Sequence, residues 1–259
     1  MNIAVITGAS SGMGRDFALR ISKTEQLDEM WIIARRKERL EELKERLGLP
    51  VRVLCLDLTD EKSLAEYSAL LADIKPNISL LVNASGFGRF ALSDDIPLEI
   101  SQSMIDINIK ALVSMTDISL RYMSRGSRVI NVGSLSAFQP VPYINVYAAT
   151  KAFVLSYSRA LNVELKPRGI RVVAVCPGWV KTEFFEHAVT DNDAVTYYNY
   201  LWESADVVTK AFRDLKKGRD VSILGAPIRI QVFLTKLLPH KFVMKIWMRQ
   251  QKHDKREPV

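Results

Sequence analysis

The sequence predicts a single α/β domain of the doubly wound kind, with about seven parallel strands in one sheet and helices on both faces. Short β-branched runs alternate along the chain with longer stretches of helical pattern, as in successive βαβ units. Several runs, such as RVVAVC at 171–176, are apolar almost throughout, which is typical of parallel strands covered on both faces. Right-handed crossovers between such strands distribute the helices over the two faces.

The individual elements follow from this alternation. The runs predicted as strands are 3–7, 30–34, 51–56, 78–83, 128–132, 170–175 and 220–224. The stretches predicted as helices are 12–24, 37–47, 61–74, 98–123, 146–166 and 204–216. Residues 1–225 are therefore predicted to form the domain. Two segments fall outside the pattern: 181–203 is irregular and rich in aromatic residues, and 226–259 is a basic, hydrophobic C-terminal extension.

Size and composition are those of an ordinary globular protein. The chain has 259 residues, of which 48% are hydrophobic and 25% are charged. No uncharged apolar run approaches the roughly 18–20 residues that span a bilayer, and no cleavable segment precedes the first strand. Cys55 and Cys176 lie in strand-like runs and are expected to be buried, reduced thiols. We therefore expect a cytoplasmic protein.

The formal charge of +7 suits nucleic acid, a membrane surface or an anionic cofactor. The sequence has neither zinc-finger spacing nor an aromatic RNA-binding signature, so we expect no nucleic acid as a partner. Three scattered histidines, His187, His240 and His253, predict no metal site.

A glycine-rich turn, TGASSGMG, joins the first strand to the first helix. Gly8 allows a tight turn, Gly12 lets the backbone approach a ligand, and Gly14 lets helix and strand pack closely. The unpaired N–H groups and the dipole at the start of the helix favour a pyrophosphate. This is the pattern of a Rossmann-type dinucleotide site, and the residues expected to contact the cofactor are Gly8, Ser10, Ser11, Gly12, Met13 and Gly14.

The end of the second strand predicts which dinucleotide binds. Where NAD-selective proteins place an acidic residue for the ribose 2′-hydroxyl, this sequence has Ala34, Arg35 and Arg36. A guanidinium can hold a 2′-phosphate through charged, forked hydrogen bonds, whereas a carboxylate would repel it. We therefore expect NADP(H), held by Arg35 and Arg36. The alternative is that both arginines are only solvated at the start of a charged helix.

The stretch NVYAATKAFVLSY, residues 145–157, places Tyr147 one helical turn before Lys151. Either Tyr147 is packed and Lys151 points into water, or the phenol and the ammonium act together in proton transfer.

Together these motifs resemble those of the short-chain dehydrogenase/reductase family, in its short, single-domain, NADP(H)-preferring branch. The resemblance extends from residue 2 to about 225 and rests on seven motifs in order: TGASSGMG, LDLTD, NASG, DINIKAL, NVGS, YAATK and CPGWVKT. The C-terminal extension is similar to those of family members of the hydroxysteroid dehydrogenase and ketoacyl reductase type.

The resemblance implies a catalytic tetrad of Asn108, Ser134, Tyr147 and Lys151. Tyr147 would protonate the carbonyl oxygen as hydride reaches the carbon, and would accept that proton in the reverse direction. Lys151 would lower the pKa of the phenol, which is about 10 in a free tyrosine. Ser134 would hold the carbonyl oxygen, and Asn108 would order a water that connects Lys151 to solvent.

Further cofactor contacts are implied by the resemblance alone. Besides Tyr147 and Lys151, they are Asp57 and Leu58 beside the adenine, Asn83, Ala84 and Gly86 near the adenosine ribose, and Pro177, Gly178, Val180 and Thr182 at the nicotinamide. One motif departs from the family: the run Asn83-Ala84-Ser85-Gly86 lacks the second of two consecutive asparagines that usually stand there.

The aromatic residues of the insertion predict a bulky, largely apolar ketone or alcohol as substrate, of the hydroxysteroid type. The residues expected to contact it are Ser134, Tyr147, Phe87, Phe138, Tyr143, Phe184 and Phe185. Alternatively, these rings only pack the insertion onto the domain. Two other functions stay open, a 3-oxoacyl or general carbonyl reductase and a non-catalytic NADP(H)-sensing binding protein. A sugar-nucleotide epimerase shares the Tyr–Lys spacing but usually has a GxxGxxG turn, which is lacking here.

The predicted helices 98–123 and 146–166 correspond to those that form four-helix dimer interfaces in the family, so we expect a homodimer or homotetramer. The extension 226–259 interleaves apolar and basic residues, and Pro239 is predicted to divide it into two amphipathic pieces. Three roles are open for it: contact with an anionic membrane surface, a cover for the pocket, or packing on a partner subunit.

Overall fold

The computed structural model describes residues 1–188 and 194–251. Its strands are β1 (Asn2–Thr7), β2 (Glu29–Ala34), β3 (Val51–Cys55), β4 (Asn77–Asn83), β5 (Arg128–Val132), β6 (Arg171–Val175), β7 (Val180–Lys181), β8 (Trp202–Glu203) and β9 (Val221–Ser222). Seven of them form one parallel sheet in the order β3-β2-β1-β4-β5-β6-β9, while β7 and β8 pair with each other. The predicted parallel α/β fold is confirmed.

The helices alternate with the strands, as the sequence predicts. They are α1 (Gly12–Thr24), α2 (Lys37–Glu45), α3 (Glu61–Ile74), α4 (Leu98–Ile105), α5 (Ala111–Leu120), α6 (Asn145–Glu164), α7 (Phe184–Ala188), α8 (Ser204–Lys216), α9 (Ala226–Leu237) and α10 (His240–Gln250). Within the described ranges, no helix is both long enough and apolar enough to cross a membrane.

The core lies on both faces of the sheet, and β1 shows why its sequence is apolar throughout. Ile3 and Val5 belong to the core cluster that α3, α5 and α6 complete. Ala4 and Ile6 belong to the cluster on the other face, which α1, α2 and α8 complete. Alternate residues of a strand point to opposite faces, so a strand covered on both sides needs an apolar residue at every position.

The direction of strand order reverses at β1, which lies between β2 and β4. In open parallel sheets a ligand crevice forms at this point, outside the carboxyl ends of the strands. Here Thr7 at the end of β1 joins the two loops, because its hydroxyl oxygen accepts hydrogen bonds from the backbone N–H groups of Ala84 and Ser85 at 3.1 and 3.2 Å.

Several elements differ in detail from the sequence prediction. The helix predicted at 98–123 consists of α4, a π-helical turn at Asp106–Lys110, and α5. The insertion at 181–203, predicted to be irregular, contains α7 and β8; its residues 189–193 lie outside the described ranges. The extension forms α9 and α10 with Pro239 at their junction, as predicted, and residues 252–259 are not described.

One prediction about the cysteines was wrong. Cys176 is buried, but the thiol of Cys55 is exposed, and both are unpaired. Cys55 is the last residue of β3, which is an edge strand of the sheet. Within the described residues, one side of β3 has no neighbouring strand, and the thiol is therefore not covered there. The Sγ of Cys55 donates a hydrogen bond to the backbone carbonyl of Arg35 at 3.1 Å.

Candidate active site

A cavity of about 970 Å³ lies at the carboxyl ends of the strands. The predicted residues that line it are Gly8, Ser10, Ser11, Gly12, Met13, Gly14, Arg35, Arg36, Asp57, Leu58, Ala84, Gly86, Phe87, Ser134, Tyr147, Lys151, Pro177, Gly178, Val180, Thr182, Phe184 and Phe185. The fold thus brings the predicted cofactor-binding residues and the predicted catalytic residues Ser134, Tyr147 and Lys151 to one cavity, although they are far apart in the sequence.

Four predicted residues do not line the cavity. Asn83 and Asn108 are buried behind its wall. Phe138 packs against Leu155 and the strands behind it, because the short 3₁₀ turn that it ends directs it away from the cavity. Tyr143 packs with the rings around Tyr147 instead.

The glycine turn has no room for side chains at two positions. Gly8 has φ +67°, and a Cβ there would lie 2.8 Å from the backbone of Ala84. At Gly14 a Cβ would lie 2.2 Å from the carbonyl oxygen of Gly8. Because the backbones pack this closely, the first turn of α1 lies at the cavity. This turn contains no acidic residue. Its free N–H groups therefore present a positive end to an anionic ligand.

Arg36 is held at the cavity wall by three side chains. Its guanidinium donates to the hydroxyl oxygens of Ser10 and Ser11, at 3.1 and 2.8 Å, and to the carboxylate of Glu183 at 2.9 Å. Arg35, by contrast, has a mostly exposed side chain, and its one ion pair with a described residue is longer, 3.7 Å to Asp57. Of the two arginines, Arg36 is therefore the better-ordered cation.

Glu183 is a site residue that the sequence did not reveal. It lines the cavity and pairs with both Arg36 and Arg39. Partial burial alone would raise the pKa of this carboxyl, but hydrogen bonds and charge from the two arginines hold the pKa below its usual value. Glu183 therefore carries a negative charge beside the cation that was predicted to bind phosphate.

Asp57 also stays ionised beside the cavity. Partial burial opposes this, but hydrogen bonds from the backbone N–H and hydroxyl of Thr59, together with the Arg35 charge, keep the pKa of Asp57 low. The carboxylate thus fixes the loop that follows β3.

Tyr147 lies in the first turn of α6 and is almost fully buried. Burial raises the pKa of its phenol to about 12, whereas the sequence predicted that Lys151 would lower it; a hydrogen bond with Ser134 partly opposes the rise. At neutral pH the phenol therefore keeps its proton and can donate it.

Lys151, one turn further along α6, is buried rather than solvated. Its Nζ donates to the backbone carbonyl of Val132 at 2.9 Å and lies 5.7 Å from the centre of the Tyr147 ring. Burial lowers the pKa of Lys151 to about 8. The geometry therefore excludes the alternative in which this lysine points into water.

Ser134 accepts two hydrogen bonds from Ser136, one from its backbone N–H at 3.2 Å and one from its hydroxyl at 3.0 Å. With its acceptor sites engaged, the Ser134 hydroxyl is oriented to donate its own proton. The contact of Ser136 with Ser134 was not predicted, and the SxS spacing was its only signal in the sequence.

Asn108 lies in the π-helical turn, and hydrogen bonds occupy its side-chain amide. Its Oδ1 accepts from the Phe87 N–H at 3.1 Å, while its Nδ2 donates to the Phe87 carbonyl and to the Thr150 hydroxyl, both at 3.0 Å. Asn108 thus ties the loop after β4 to α6, directly behind Lys151. Gly86 is needed for this contact, because a Cβ there would lie 2.5 Å from Asn108 Oδ1.

Aromatic rings surround the phenol of Tyr147. Phe184 and Phe90 lie 5.4 and 6.2 Å from its ring centre, and Trp179 extends the cluster towards Trp247. Phe90, Trp179 and Trp247 line the cavity but were not predicted. They come from separate elements, so no local pattern marks them as neighbours.

Comparison with known proteins agrees with this geometry. The family model for short chain dehydrogenases matches residues 2–193. The chain is 37% identical to sulfoacetaldehyde reductase 2 of Chromohalobacter salexigens over 192 residues, which cover 71% of this chain and 74% of the relative. It is 33% identical to an NADP-dependent 3-hydroxy acid dehydrogenase of Escherichia coli over 216 residues, 81% of this chain and 86% of that one.

Among solved structures, a short-chain dehydrogenase from Sphingobium yanoikuyae in complex with NADPH is similar over 100% of this chain and 98% of its own, with a TM-score of 0.78 and 27% identity. With the family match covering most of the sequence and the fold agreeing throughout, the chain belongs to the short-chain dehydrogenase/reductase family.

Proposed function

We propose that this chain is an NADP(H)-dependent oxidoreductase that interconverts a ketone and a secondary alcohol on a bulky, largely apolar substrate of the hydroxysteroid type. The observation that carries the proposal is that Ser134, Tyr147 and Lys151 line the same cavity as the glycine turn and Arg36. Two relatives support the choice of nucleotide, since one was solved with NADPH and another is named as NADP-dependent.

The residues at the cavity fit this cofactor. The first turn of α1 offers backbone N–H groups without a competing acid, which suits the pyrophosphate. Arg36, with Ser10 and Ser11 against it, offers donors for a 2′-phosphate. When bound, the nicotinamide supplies or accepts the hydride.

Tyr147 acts as the proton donor in the reducing direction. Its burial keeps the phenol protonated, with a pKa of about 12 before any ligand binds. General acids work best when they can both hold and release a proton at the working pH, so a charge that stabilises the phenolate must assist. Lys151 supplies that charge, because its pKa of about 8 leaves the ammonium protonated at neutral pH.

Ser134 orients the carbonyl oxygen of the substrate towards Tyr147. Ser136 fills the acceptor sites of Ser134, so the remaining hydroxyl proton is available to the substrate or to the phenol. Asn108 contributes by holding the Phe87 backbone and Thr150 behind Lys151. The side-chain amide of Asn108 is already hydrogen-bonded to Phe87 and Thr150. A water that connects Lys151 to solvent would therefore be held by the backbone of the π-helical turn.

The rings around Tyr147 support a bulky apolar substrate. Phe90 and Phe184 pack on the Tyr147 ring and on each other, and Trp179 packs on Phe90. Such a wall binds hydrocarbon better than a small polar molecule. The rings also pack with one another. The same contacts therefore also serve the alternative role, in which the rings pack the insertion onto the domain.

A second candidate substrate carries an acidic group. Arg89 lines the cavity and makes no ion pair with any residue that the structure describes. The named relatives act on sulfoacetaldehyde and on 3-hydroxy acids, both of which are anionic. An unpaired guanidinium beside the rings would suit the carboxylate of a 3-oxo acid.

The rate of NADPH oxidation with matched substrates separates the two candidates. We expect kcat/KM for neutral steroid ketones to exceed that for small 3-oxo acids at least tenfold, because apolar contacts give discrimination of this order. An Arg89→Gln variant should leave the steroid rate nearly unchanged. A preference for the acids that disappears in Arg89→Gln would assign the second function, and no turnover of any ketone would refute both.

The proposed assembly is a homodimer or homotetramer through α4, α5 and α6. Ile105, Phe153 and Val163 on these helices are large, apolar and exposed in the single chain. Burial of such residues against a second copy stabilises the association. A monomeric mass by light scattering would contradict this assembly.

A further inference from the structure

The C-terminal helices α9 and α10 have one face fixed to the body of the protein. Ile228 and Val232 of α9 and Val243 of α10 are buried. The indole of Trp247 donates to the carbonyl of Pro142 at 3.1 Å, and its ring stacks on Trp179. Trp247 and Gln231 also line the cavity, so these two helices cover part of the proposed substrate site.

Their solvent-facing sides carry large apolar residues that are exposed. We call these sides the outer helical face, and its apolar members are Ile230, Phe233, Leu234, Leu237, Phe242 and Ile246. The first four recur at the spacing of one helical face, i, i+3, i+4 and i+7. Phe233 is 60% exposed and Leu237 is 65% exposed, which is unusual for side chains of this size.

The charges around the outer helical face have a single sign. Residues 221–251 contain no aspartate or glutamate, but they contain Arg229, Lys236, Lys241, Lys245 and Arg249. All five are exposed, and none forms an ion pair with another part of the chain that the structure describes. Lys241, Lys245 and Arg249 follow at intervals of four residues and form one column along α10.

We propose that the outer helical face is a docking surface for an anionic lipid bilayer. Apolar side chains on a helix that lies in the membrane interface enter the acyl region, while neighbouring lysines and arginines bind lipid phosphates. A second copy of the chain fits this face less well, because a two-fold contact would bring the two sets of basic residues together. The inference does not depend on which ketone the enzyme reduces.

Co-sedimentation of the full chain with vesicles tests the proposal. We expect retention on vesicles of phosphatidylglycerol and phosphatidylcholine in equal amounts, and at least tenfold weaker binding to phosphatidylcholine alone. Leu237→Ser should weaken the binding about tenfold, since it removes one apolar anchor. Its matched control is Leu98→Ser, because Leu98 is 66% exposed but lies at the start of α4.

A pair of charge variants separates local from overall charge. Lys241→Gln with Lys245→Gln should weaken binding to anionic vesicles about tenfold or more. Lys62→Gln with Lys166→Gln removes the same net charge from exposed positions on α3 and after α6, and should leave binding nearly unchanged. Turnover measured alongside verifies that each variant is folded.

Three results would overturn the proposal: no retention on anionic vesicles, equal retention on both vesicle types, or equal losses in the variants and their controls. A fall in the mass measured by light scattering for Leu237→Ser, without vesicle binding by the wild type, would instead assign the face to a second copy.

Discussion

Arg36 and Glu183 form an ion pair of 2.9 Å at the wall of the cavity, although 147 residues separate them in the sequence. Arg36 comes from the end of β2, where a 2′-phosphate is expected, and Glu183 precedes the aromatic segment that lines the substrate end. The Glu183 carboxylate is therefore paired with the guanidinium that is proposed to bind the 2′-phosphate. Binding of NADP(H) has to displace it or share the cation with it.

Glu183→Gln should strengthen the binding of NADPH about fivefold, because it removes a negative charge that competes with the phosphate. An ion pair at this exposure is worth about 1 kcal/mol at most, which sets the size of the effect. Binding of NADH should not change. Fluorescence titration measures both, and Glu203→Gln is the control, since Glu203 pairs with Lys181 instead. Weaker NADPH binding in Glu183→Gln would show that Glu183 orders Arg36 rather than competing for it.

Arg36→Ala should weaken NADPH binding about thirtyfold and NADH binding little. The loss corresponds to about 2 kcal/mol, the value of a charge-assisted hydrogen bond. Arg35→Ala should have a smaller effect, because the Arg35 side chain is mostly exposed and its ion pair with Asp57 is long, at 3.7 Å. Equal losses for the two nucleotides would contradict the assignment of the 2′-phosphate site.

Ser136→Ala should lower kcat about fivefold and leave the KM for NADPH unchanged, since it removes a hydrogen bond worth about 1 kcal/mol from Ser134. The melting temperature should hardly change if the role is to position Ser134. Ser136→Thr keeps the hydroxyl and should restore most of the rate. A variant that loses stability but keeps its kcat would show that Ser136 is only structural.

Lys151→Met should remove turnover and reveal a pH dependence of stability. The pKa of Lys151 is lowered to about 8 from 10.5, so above pH 8 the unfolded chain binds more protons than the folded one. The free energy of unfolding of the wild type then gains up to about 1.4 kcal/mol per pH unit relative to Lys151→Met, until about pH 10.

Urea unfolding of both proteins between pH 7 and pH 10 measures this difference. Burial raises the pKa of Cys176 to about 12, and loss of the Lys151 charge raises it further. The folded thiol therefore stays protonated up to pH 10 in both proteins, so its contribution to the pH dependence is the same. A difference that stays constant with pH would mean that Lys151 is not desolvated in the folded protein.

Local sequence patterns were sufficient to predict the fold and most of the candidate residues that line the cavity. The one-turn spacing of Tyr147 and Lys151 predicts their common face, and the glycine turn predicts the start of α1. Sequence could not decide whether Lys151 is buried, because Lys151 lies on α6 and its burial depends on packing against Val132 at the end of β5. The division of the chain at residue 225 stays a prediction.

The residues that the sequence did not predict were missed for one physical reason, which is that their contacts form only in the folded chain. Glu183 acquires its role only when the fold brings it to Arg36, and Phe90, Trp179 and Trp247 meet only through tertiary packing. A single glutamate or tryptophan carries no periodic signal that predicts such a meeting. Phe138 shows the opposite error: the sequence places it near Ser134, but the 3₁₀ turn directs its side chain elsewhere.

Turnover by Tyr147→Phe tests the central claim most directly, because this change removes one oxygen and retains the ring that packs on Phe184 and Phe90. NADPH binding, measured by fluorescence titration, should stay within about twofold of the wild type, while ketone reduction should fall at least a hundredfold, the contribution expected of a positioned general acid. Reduction at more than about a tenth of the wild-type rate would contradict Tyr147 as the proton donor.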